Sequence, residues 1–210
     1  MKIILTNAGK RFSREWIFRN LNYTFLPGKS YAVTGPNGSG KSTLLQVISS
    51  ALILNEGIVE WQVNENNLKP EDVHANISFA APYLELVEEM TAKEFLLFHA
   101  QFKNFIHGFS AEEILNKAQL ENAANKQIRF YSSGMKQRLK LAQAIFSDAP
   151  FILLDEPCTN LDQNGFNLYY NWIENFCNNR LLIICSNDIN EYKFCEEQLN
   201  IQNFKKSPAY

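Results

Sequence analysis

The chain has 210 residues, enough for one domain with an inserted subdomain and for a well-buried core. Hydrophobic residues make up 46% and charged residues 20%, as in ordinary globular proteins, and the net charge of −2 lacks the basic excess typical of nucleic-acid-binding proteins. No apolar run approaches the ~18 residues of a membrane-spanning helix, and residues 1–6 have a strand-like pattern, unlike a signal peptide, so we expect a cytoplasmic protein with no nucleic-acid partner.

The first 28 residues contain short apolar or alternating segments that predict an antiparallel sheet. These segments are residues 3–5, 16–18 and 21–25, and a Pro-Gly turn at 27–28 closes them. Phe12 lies between the first two segments, where its flat ring could stack on an adenine base. Judged from composition alone, an isolated Phe near a strand end is more often part of the core.

The next stretch fits the phosphate-binding template G-x-x-x-x-G-K-[ST] at every fixed position. It comprises Gly35, Pro36, Asn37, Gly38, Ser39, Gly40, Lys41, Ser42 and Thr43. A strand pattern at 30–34 precedes it and helical spacing over 43–48 follows, which is the context that the template requires. Backbone N–H groups and the helix start can therefore hold polyphosphate, with Lys41 on the β- and γ-phosphates and the Ser42 hydroxyl on Mg²⁺.

Beyond two further expected strands, at 58–63 and 77–81, the pattern becomes helical. Capping boxes begin at Thr91 and Ser110, each ahead of an apolar run, and another helix opens near residue 131. We therefore predict a helical insertion over about 85–145. At the start of its last helix, Ser132 and Gly134 leave backbone donors bare, which suits an anion, although an ordinary N-cap explains these residues equally well.

Two carboxylates follow the apolar run 151–154, as at the end of a buried parallel strand. Ligands of open α/β sheets bind at that edge, so Asp155 can hold Mg²⁺ and Glu156 can orient or deprotonate an attacking water. These acids could merely cap a loop, but the phosphate loop in the same chain favours catalysis. A last core strand, 181–185, should bring Asn187 to the same edge.

The order of these motifs resembles that of the ATP-binding subunits of ATP-binding-cassette (ABC) transporters, over about residues 2–203. The phosphate loop, the segment 131–135 in place of the signature L-S-G-G-Q, the strand 151–156 and the loop 160–162 all have counterparts in that family. Phe12 matches the aromatic residue that stacks on adenine. The resemblance therefore favours the adenine role for Phe12 over the core role.

This resemblance implies an α/β fold: a P-loop NTPase core on a parallel sheet, a flanking antiparallel β-subdomain and an inserted helical subdomain, in one domain over 1–210. It implies that two copies enclose two ATP molecules head to tail, so that each ATP contacts Lys41 of one copy and Ser132 and Gly134 of the other. A homodimer and a dimer with a paralogous subunit both fit. The chain would hydrolyse Mg-ATP on the cytoplasmic face of a membrane, beside a separate transmembrane subunit.

Two positions depart from the family pattern near the γ-phosphate. The family's glutamine after a core strand has no counterpart in the segment 79–82, and its histidine after the last core strand falls on Asn187. Asn187 would then be a weaker catalytic contact, and hydrolysis would be slow, while Lys41 and Glu156 imply that binding and some turnover survive. The simple alternative is that Asn187 caps the helix that follows it.

Three functions fit these motifs: an ATPase that drives transport through a membrane subunit, an ABC-type ATPase of a cytosolic assembly, and an ATP-binding switch with negligible hydrolysis. The absence of a spanning segment makes a separate membrane subunit necessary for the first function, which we favour. The apolar stretch 81–87 is expected to be exposed and to receive that subunit, with Tyr83 and Leu86 at the contact.

Overall fold

Two β-sheets organise the chain in a computed structural model that describes residues 2–205. In chain order the strands are β1 (Lys2–Phe12), β2 (Glu15–Phe25), β3 (Ser30–Thr34), β4 (Glu56–Val63), β5 (Asn66–Leu68), β6 (Ile77–Ala80), β7 (Phe151–Asp155), β8 (Leu181–Cys185) and β9 (Glu197–Asn200). One sheet is antiparallel, in the order β2-β1-β4-β5, and the other is parallel, in the order β6-β7-β8-β3-β9. The predicted α/β architecture is therefore confirmed.

Helices cover the parallel sheet and fill the predicted insertion. Within residues 2–205 the α-helices are α1 (Lys41–Ile48), α2 (Val73–Asn76), α3 (Ala92–Ala100), α4 (Ala111–Lys117), α5 (Ser133–Phe146), α6 (Gln163–Phe176) and α7 (Ile189–Tyr192). Short 3₁₀ turns lie at Pro70–Asp72, Ile106–Gly108, Glu121–Ala123, Ile128–Phe130 and Ile201–Phe204. The capping boxes predicted at Thr91 and Ser110 are both formed, and they start α3 and α4.

The antiparallel sheet differs from the sequence-based expectation in the length of its strands. Segments 16–18 and 21–25 were expected as separate strands, but they form one continuous strand, β2. Asn20 takes a left-handed conformation with φ 57° within it, and the β1–β2 register shifts between Leu5 and Ala8 and again between Ala8 and Lys10. Because a bulge accommodates an extra residue without ending the pairing, the two strands stay paired on both sides of these positions.

The register of the parallel sheet brings the carboxyl ends of its central strands together. Asp155 at the end of β7 lies opposite Cys185 at the end of β8, and Val33 of β3 also pairs with Cys185. The phosphate loop follows β3, and Glu156 follows β7. The three chain segments that leave this edge therefore start as immediate neighbours, as the ligand-binding edge of an open α/β sheet requires.

Alternate residues of the buried strands pack on opposite faces. Ile152 and Leu154 of β7 belong to the core that holds the helical insertion, whereas Phe151 and Leu153 belong to the core beneath the antiparallel sheet and α1. All five residues of β7 are buried, which agrees with its unbroken apolar run. Because the side-chain period is two, Asp155 faces the same side as Leu153, toward α1.

Glu191 of α7 connects the segment that follows β8 to the loop that follows β7. Its carboxylate accepts a hydrogen bond of 2.9 Å from the Cys158 backbone N–H, and its own carbonyl accepts one of 2.8 Å from the Tyr169 hydroxyl. Only 5% of Glu191 is exposed. Burial raises the pKa of Glu191 to about 7; Ser186 and the Cys158 N–H oppose the rise, and the nearby acids Asp188 and Glu156 add to it.

A glutamine at position 191 should make stability less dependent on pH. Because the carboxyl pKa is higher in the folded protein than its ordinary value of 4.5, folding favours the protonated form, and the wild type loses stability as pH rises from 4.5 through 7. The amide of Glu191→Gln stays neutral and can still accept from Cys158. Between pH 5 and 8 the variant should therefore gain about 2–3 kcal/mol relative to the wild type.

Urea unfolding of both proteins at the two pH values measures this difference. A gap between the variant and the wild type that is the same at pH 5 and pH 8 would show that Glu191 does not titrate in this range.

Candidate functional site

The phosphate loop needs glycine at two positions because of its backbone and its close packing. Gly35 has φ +145° and Gly40 has φ +107°, and residues other than glycine rarely adopt this backbone conformation. A Cβ on Gly40 would lie 2.3 Å from Cγ2 of Ile17 in β2, and one on Gly35 would lie 2.7 Å from the Ser39 hydroxyl oxygen. The loop is therefore pressed against the antiparallel sheet and against itself, and only glycine fits.

Lys41 lies inside the closed loop at the start of α1. Its ammonium group donates to the backbone carbonyls of Gly35 at 2.9 Å and Pro36 at 3.3 Å, and the residue is 5% exposed. A third ammonium hydrogen remains for an anion. Gly40, the N-cap, supplies no side chain, so the first N–H groups of α1 also face the loop without a capping side chain. The loop thus concentrates donors and positive charge in one place.

A groove of about 390 Å³ opens on this loop. Its walls are formed by residues of the phosphate loop and the start of α1 together with Ile17 and Glu156; the loop and helix residues are Asn37, Gly38, Gly40, Lys41, Ser42 and Thr43. Most of the lining is backbone and side-chain polar groups of the phosphate loop. The groove therefore suits a polyphosphate, and its lining includes one acid, Glu156.

Asp155 is a buried carboxylate whose two oxygens have no hydrogen-bond partner of normal geometry among residues 2–205. The residue is 2% exposed. Burial raises its pKa; the nearby Ser42 hydroxyl opposes the rise, Glu156 adds to it, and Lys41 and the Tyr83 hydroxyl oppose it. An unpaired carboxylate is costly to bury, so this arrangement favours a bound cation.

Mg²⁺ fits the residues present here. It prefers hard oxygen ligands such as carboxylates and hydroxyls, and it usually binds through one or two protein groups together with phosphate oxygens. Asp155 and Ser42 provide one carboxylate and one hydroxyl beside the groove that the phosphate loop lines. The predicted metal residues are thus brought together, next to the predicted phosphate site.

Glu156 is held in a left-handed conformation, with φ +42°. Its backbone N–H donates to the Cys185 carbonyl at 2.8 Å, which fixes the sharp turn at the end of β7. For a residue other than glycine such a conformation costs about 1–2 kcal/mol. The strained turn is what brings Glu156 into the wall of the groove and not onto the neighbouring strand.

Asn187 contacts the phosphate loop. Its side-chain amide donates to the Asn37 side-chain oxygen at 3.1 Å. The helix that follows is capped by Asp188, whose carboxylate accepts from the Asn190 N–H at 2.9 Å. The interpretation of Asn187 as a helix cap is therefore wrong, because the next residue performs that function and Asn187 is left free to face the loop.

Phe12 is 49% exposed at the end of β1, with the Lys10 ammonium 5.2 Å from the centre of its ring. The core position that composition alone favours is therefore wrong. The reason is that β1 and β2 extend beyond the sheet core at this end, where Phe12 pairs with Glu15 beside a two-residue turn. The ring is open to a planar ligand.

Ser132 and Gly134 lie at the start of α5, outside the groove at the phosphate loop. Ser132 is the N-cap of α5, where its hydroxyl accepts from the Met135 N–H at 3.3 Å. Gly134 packs against the loop after Glu156, so that a Cβ on it would lie 3.1 Å from the Asn160 carbonyl oxygen. In the part of the chain that the structure describes, neither residue lines the groove at the phosphate loop.

The stretch 81–87 is only partly exposed. Tyr83, Leu84 and Val87 are exposed and form what we call the apolar patch, whereas Leu86 is buried in the core of the helical insertion. The expectation that Leu86 is exposed is therefore wrong. Leu86 packs against the helical insertion, and this long-range contact cannot be read from the local sequence pattern. Sequence reasoning assigned Tyr83 to the membrane contact alone and missed its position near Asp155.

The Tyr83 hydroxyl lies near Asp155, but no hydrogen bond of normal geometry joins it to that carboxylate. The Gln46 amide and the Asp155 carboxylate both lie close enough to this hydroxyl to affect its pKa, which burial raises to about 12. The signal that could have found it is strand pairing: Ala80 of β6 pairs with Leu154 of β7, so residues just beyond β6 must lie beside Asp155.

Known proteins resemble this chain in sequence and in fold. The family model described as ABC transporter matches residues 18–159. An ABC transporter ATP-binding protein of Bacillus subtilis (strain 168), YybJ, is 31% identical over 169 residues, which cover 78% of this chain and 74% of that protein. The cytochrome c biogenesis ATP-binding export protein CcmA of Xylella fastidiosa (strain 9a5c) is 34% identical over 152 residues, 70% of this chain and 66% of that protein.

Solved structures share the fold of this chain. The dimeric post-hydrolysis structure of the ATP-binding cassette MJ0796, bound to ADP and Pi, superposes with a TM-score of 0.76 at 26% identity and covers 95% of this chain and 94% of that one. A bacterial Atm1-family ABC exporter with ATP bound superposes with a TM-score of 0.81 at 17% identity, over 95% of this chain and 37% of the exporter chain.

Proposed function

The chain belongs to the ABC transporter family, and from this premise we propose that it is the subunit that binds and hydrolyses ATP to drive transport through a separate membrane protein. The observation that carries the proposal is the closed phosphate loop around Lys41, set beside the buried and unpaired carboxylate of Asp155. Family members are in general ATP hydrolases.

Each residue of the groove has a separate task in this proposal. The loop N–H groups and Lys41 bind the phosphates, and Phe12 stacks on the adenine. Ser42 and Asp155 would hold Mg²⁺, which when bound neutralises charge on the phosphate oxygens. Glu156 orients the attacking water and accepts its proton, since it is the acid in the lining of the groove.

Asn187 is proposed to contact the γ-phosphate. Its amide already reaches Asn37 of the phosphate loop, which supports a position near the end of the phosphate chain. As a neutral donor it makes a weaker contact with developing charge than a protonated imidazole would. We therefore expect slow hydrolysis and not its absence.

A dimer would complete the site. Ser132 and Gly134 lie outside the groove of their own chain, and Ser132 begins a 14-residue helix with a side chain that solvent can reach. Two chains arranged head to tail would bring these helix starts to each other's phosphates, and the fold is shared with a cassette solved as a dimer. Either a second copy or a paralogous subunit can fill this role.

The membrane partner would dock on the apolar patch of Tyr83, Leu84 and Val87. Three neighbouring apolar side chains in one loop expose surface that a partner can bury. None of the helices in residues 2–205 is both long enough and apolar enough to cross a bilayer. We place the subunit on the cytoplasmic face of the membrane, where ATP is present.

Glu156→Gln should trap an ATP-bound dimer. The substitution removes the base but leaves the phosphate contacts, so the dimer forms and cannot proceed. Light scattering after size exclusion in the presence of Mg-ATP measures the molar mass of the variant and so distinguishes monomer from dimer. Lys41→Ala is the matched control: loss of a charge-assisted contact should weaken ATP binding at least tenfold and prevent the dimer.

A Glu156→Gln variant that stays monomeric at high protein concentration would contradict the head-to-tail dimer. A wild type that dimerises with ATP and releases no phosphate would support instead the alternative that the chain is an ATP-binding switch.

Asn187→His should raise the single-turnover hydrolysis rate by up to about tenfold, with little change in ATP affinity. The gain corresponds to replacing a neutral contact by a charge-assisted one, a difference of about 1–1.5 kcal/mol. Asn187→Ala should lower the rate by a smaller factor, because only a neutral bond is lost. Equal rates in all three proteins would mean that Asn187 does not touch the phosphate.

Leu84→Asp with Val87→Asp should abolish co-purification with the membrane partner without lowering ATP affinity. Charged side chains on this patch would have to be buried unpaired in the complex. Ile53→Asp is the matched control, because Ile53 is also an exposed apolar residue in a loop and should tolerate the change. Pull-down from detergent-solubilised membranes measures binding.

Retention of the membrane partner by the double variant would place the docking surface elsewhere. If the wild type instead purifies in a complex without membrane protein, the alternative of a cytosolic ABC-type ATPase is supported.

A further inference from the structure

We propose that Gln137 and Glu191 are positioning residues: together they hold the peptide unit that joins Pro157 to Cys158, and through it they fix the direction of Glu156. We call this arrangement the peptide clamp. The inference rests on the proposed function, in which Glu156 orients the attacking water and accepts its proton. Within residues 2–205, neither Gln137 nor Glu191 belongs to the lining of the groove, so each acts through Glu156.

Two side chains bond to opposite sides of one peptide unit. The Gln137 amide donates to the Pro157 carbonyl at 2.7 Å, and the Glu191 carboxylate accepts from the Cys158 N–H at 2.9 Å. That carbonyl and that N–H belong to the same peptide unit, and in a trans peptide they point in opposite directions. The two bonds together therefore fix the plane of the peptide, whereas either bond alone would leave the plane free to pivot.

Both bonds of the clamp are buried. Gln137 is 3% exposed and Glu191 is 5% exposed, and the two residues that they hold, Pro157 and Cys158, are buried as well. Because water does not reach this peptide, loss of either side chain would leave a buried backbone group without a partner. The clamp is therefore a stronger restraint than the same two bonds would be on an exposed loop.

The clamped peptide determines the conformation of Glu156 because only one residue separates them. That residue is Pro157, whose ring fixes its own φ and restricts the backbone of the residue before it. The Glu156 N–H donates to the Cys185 carbonyl at 2.8 Å, and the Glu156 carbonyl accepts from the Thr159 N–H at 3.2 Å. These bonds hold the start of the turn and the clamp holds its end. The strained φ of +42° at Glu156 is therefore maintained from both sides.

The clamp residues lie on helices that are themselves well anchored. Gln137 lies in the first half of the 14-residue helix α5. Glu191 lies in the short helix α7, and its backbone carbonyl accepts a hydrogen bond of 2.8 Å from the hydroxyl of Tyr169, a fully buried residue of α6. A catalytic side chain on a loop is positioned more accurately when rigid elements support the loop. Here three helices support the turn that carries Glu156.

Gln137→Met and Glu191→Met each remove one bond of the clamp and keep an unbranched side chain of similar size. Single-turnover hydrolysis at pH 8 should slow about two- to tenfold in Gln137→Met, which loses a neutral bond. It should slow about ten- to hundredfold in Glu191→Met, because the carboxylate, ionised above its pKa of about 7, accepts a charge-assisted bond. ATP affinity, measured by calorimetry, should not change, because the phosphate contacts lie outside the clamp.

Three further proteins separate positioning from general destabilisation. Glu191→Gln keeps an oxygen acceptor and should restore most of the rate that Glu191→Met loses. The double variant of Gln137→Met and Glu191→Met should be about as slow as Glu191→Met, since a peptide released on one side can already pivot. Tyr31→Phe is the matched control: it removes the acceptor of another backbone N–H, that of Leu26 at 2.8 Å, and should leave the rate unchanged.

Four results would overturn the inference. They are an unchanged rate in both Met variants, rate losses that multiply in the double variant, a Glu191→Gln protein as slow as Glu191→Met, and a loss of ATP affinity as large as the loss of rate. If Glu191→Met does not fold, Gln137→Met and the measurement that follows decide.

A wild type that hydrolyses no ATP would overturn the proposed function, and the clamp is then tested without nucleotide. Hydrogen exchange of the Cys158 amide, followed by NMR, reports on the clamped peptide directly. Gln137→Met should speed this exchange about two- to tenfold although Glu191 still accepts from the amide, because the substitution releases the other side of the same peptide. Tyr31→Phe should not speed it. Equal exchange in Gln137→Met and the wild type would overturn the clamp.

Discussion

The buried carboxylate of Asp155 is the constraint on which the site depends. Strand β7 is buried throughout, and its last residue carries a charge with no hydrogen-bond partner of normal geometry in residues 2–205. Such a group destabilises the fold unless a ligand or a neighbour compensates for it. Lys41 and Ser42 at the start of α1, and Tyr83 in the turn after β6, lie near this carboxylate. A cation would complete what these neighbours leave unsatisfied.

Most of the fold could be predicted because its signals are local. Strands β3 and β8 were predicted with the bounds that they have, since short, apolar, β-branched runs bounded by polar turns are hard to mistake. The two capping boxes are likewise contained within four residues each. The phosphate loop combines both kinds of information, because its glycines are required by the backbone itself at Gly35 and Gly40.

What could not be predicted depends on contacts between distant segments. Leu86 and Val87 are adjacent and both apolar, yet only Leu86 is buried, because the helical insertion folds back over it. Asn187 and Asp188 are both good N-caps, and the choice between them is made by Asn37, 150 residues earlier. Tyr83 becomes a site residue only through the pairing of β6 with β7. Local propensity contains none of this information.

The segments at this edge are also joined to one another by side chains. Asn187 bonds the phosphate loop, while Glu191, four residues later, holds the loop after Glu156 through the Cys158 N–H. The Gln137 amide of α5 donates to the Pro157 carbonyl at 2.7 Å, which joins the helix begun by Ser132 to that same loop. Movement of any one segment therefore strains bonds to the others. The phosphate loop, the loop after Glu156 and helix α5 are therefore connected to one another around this edge.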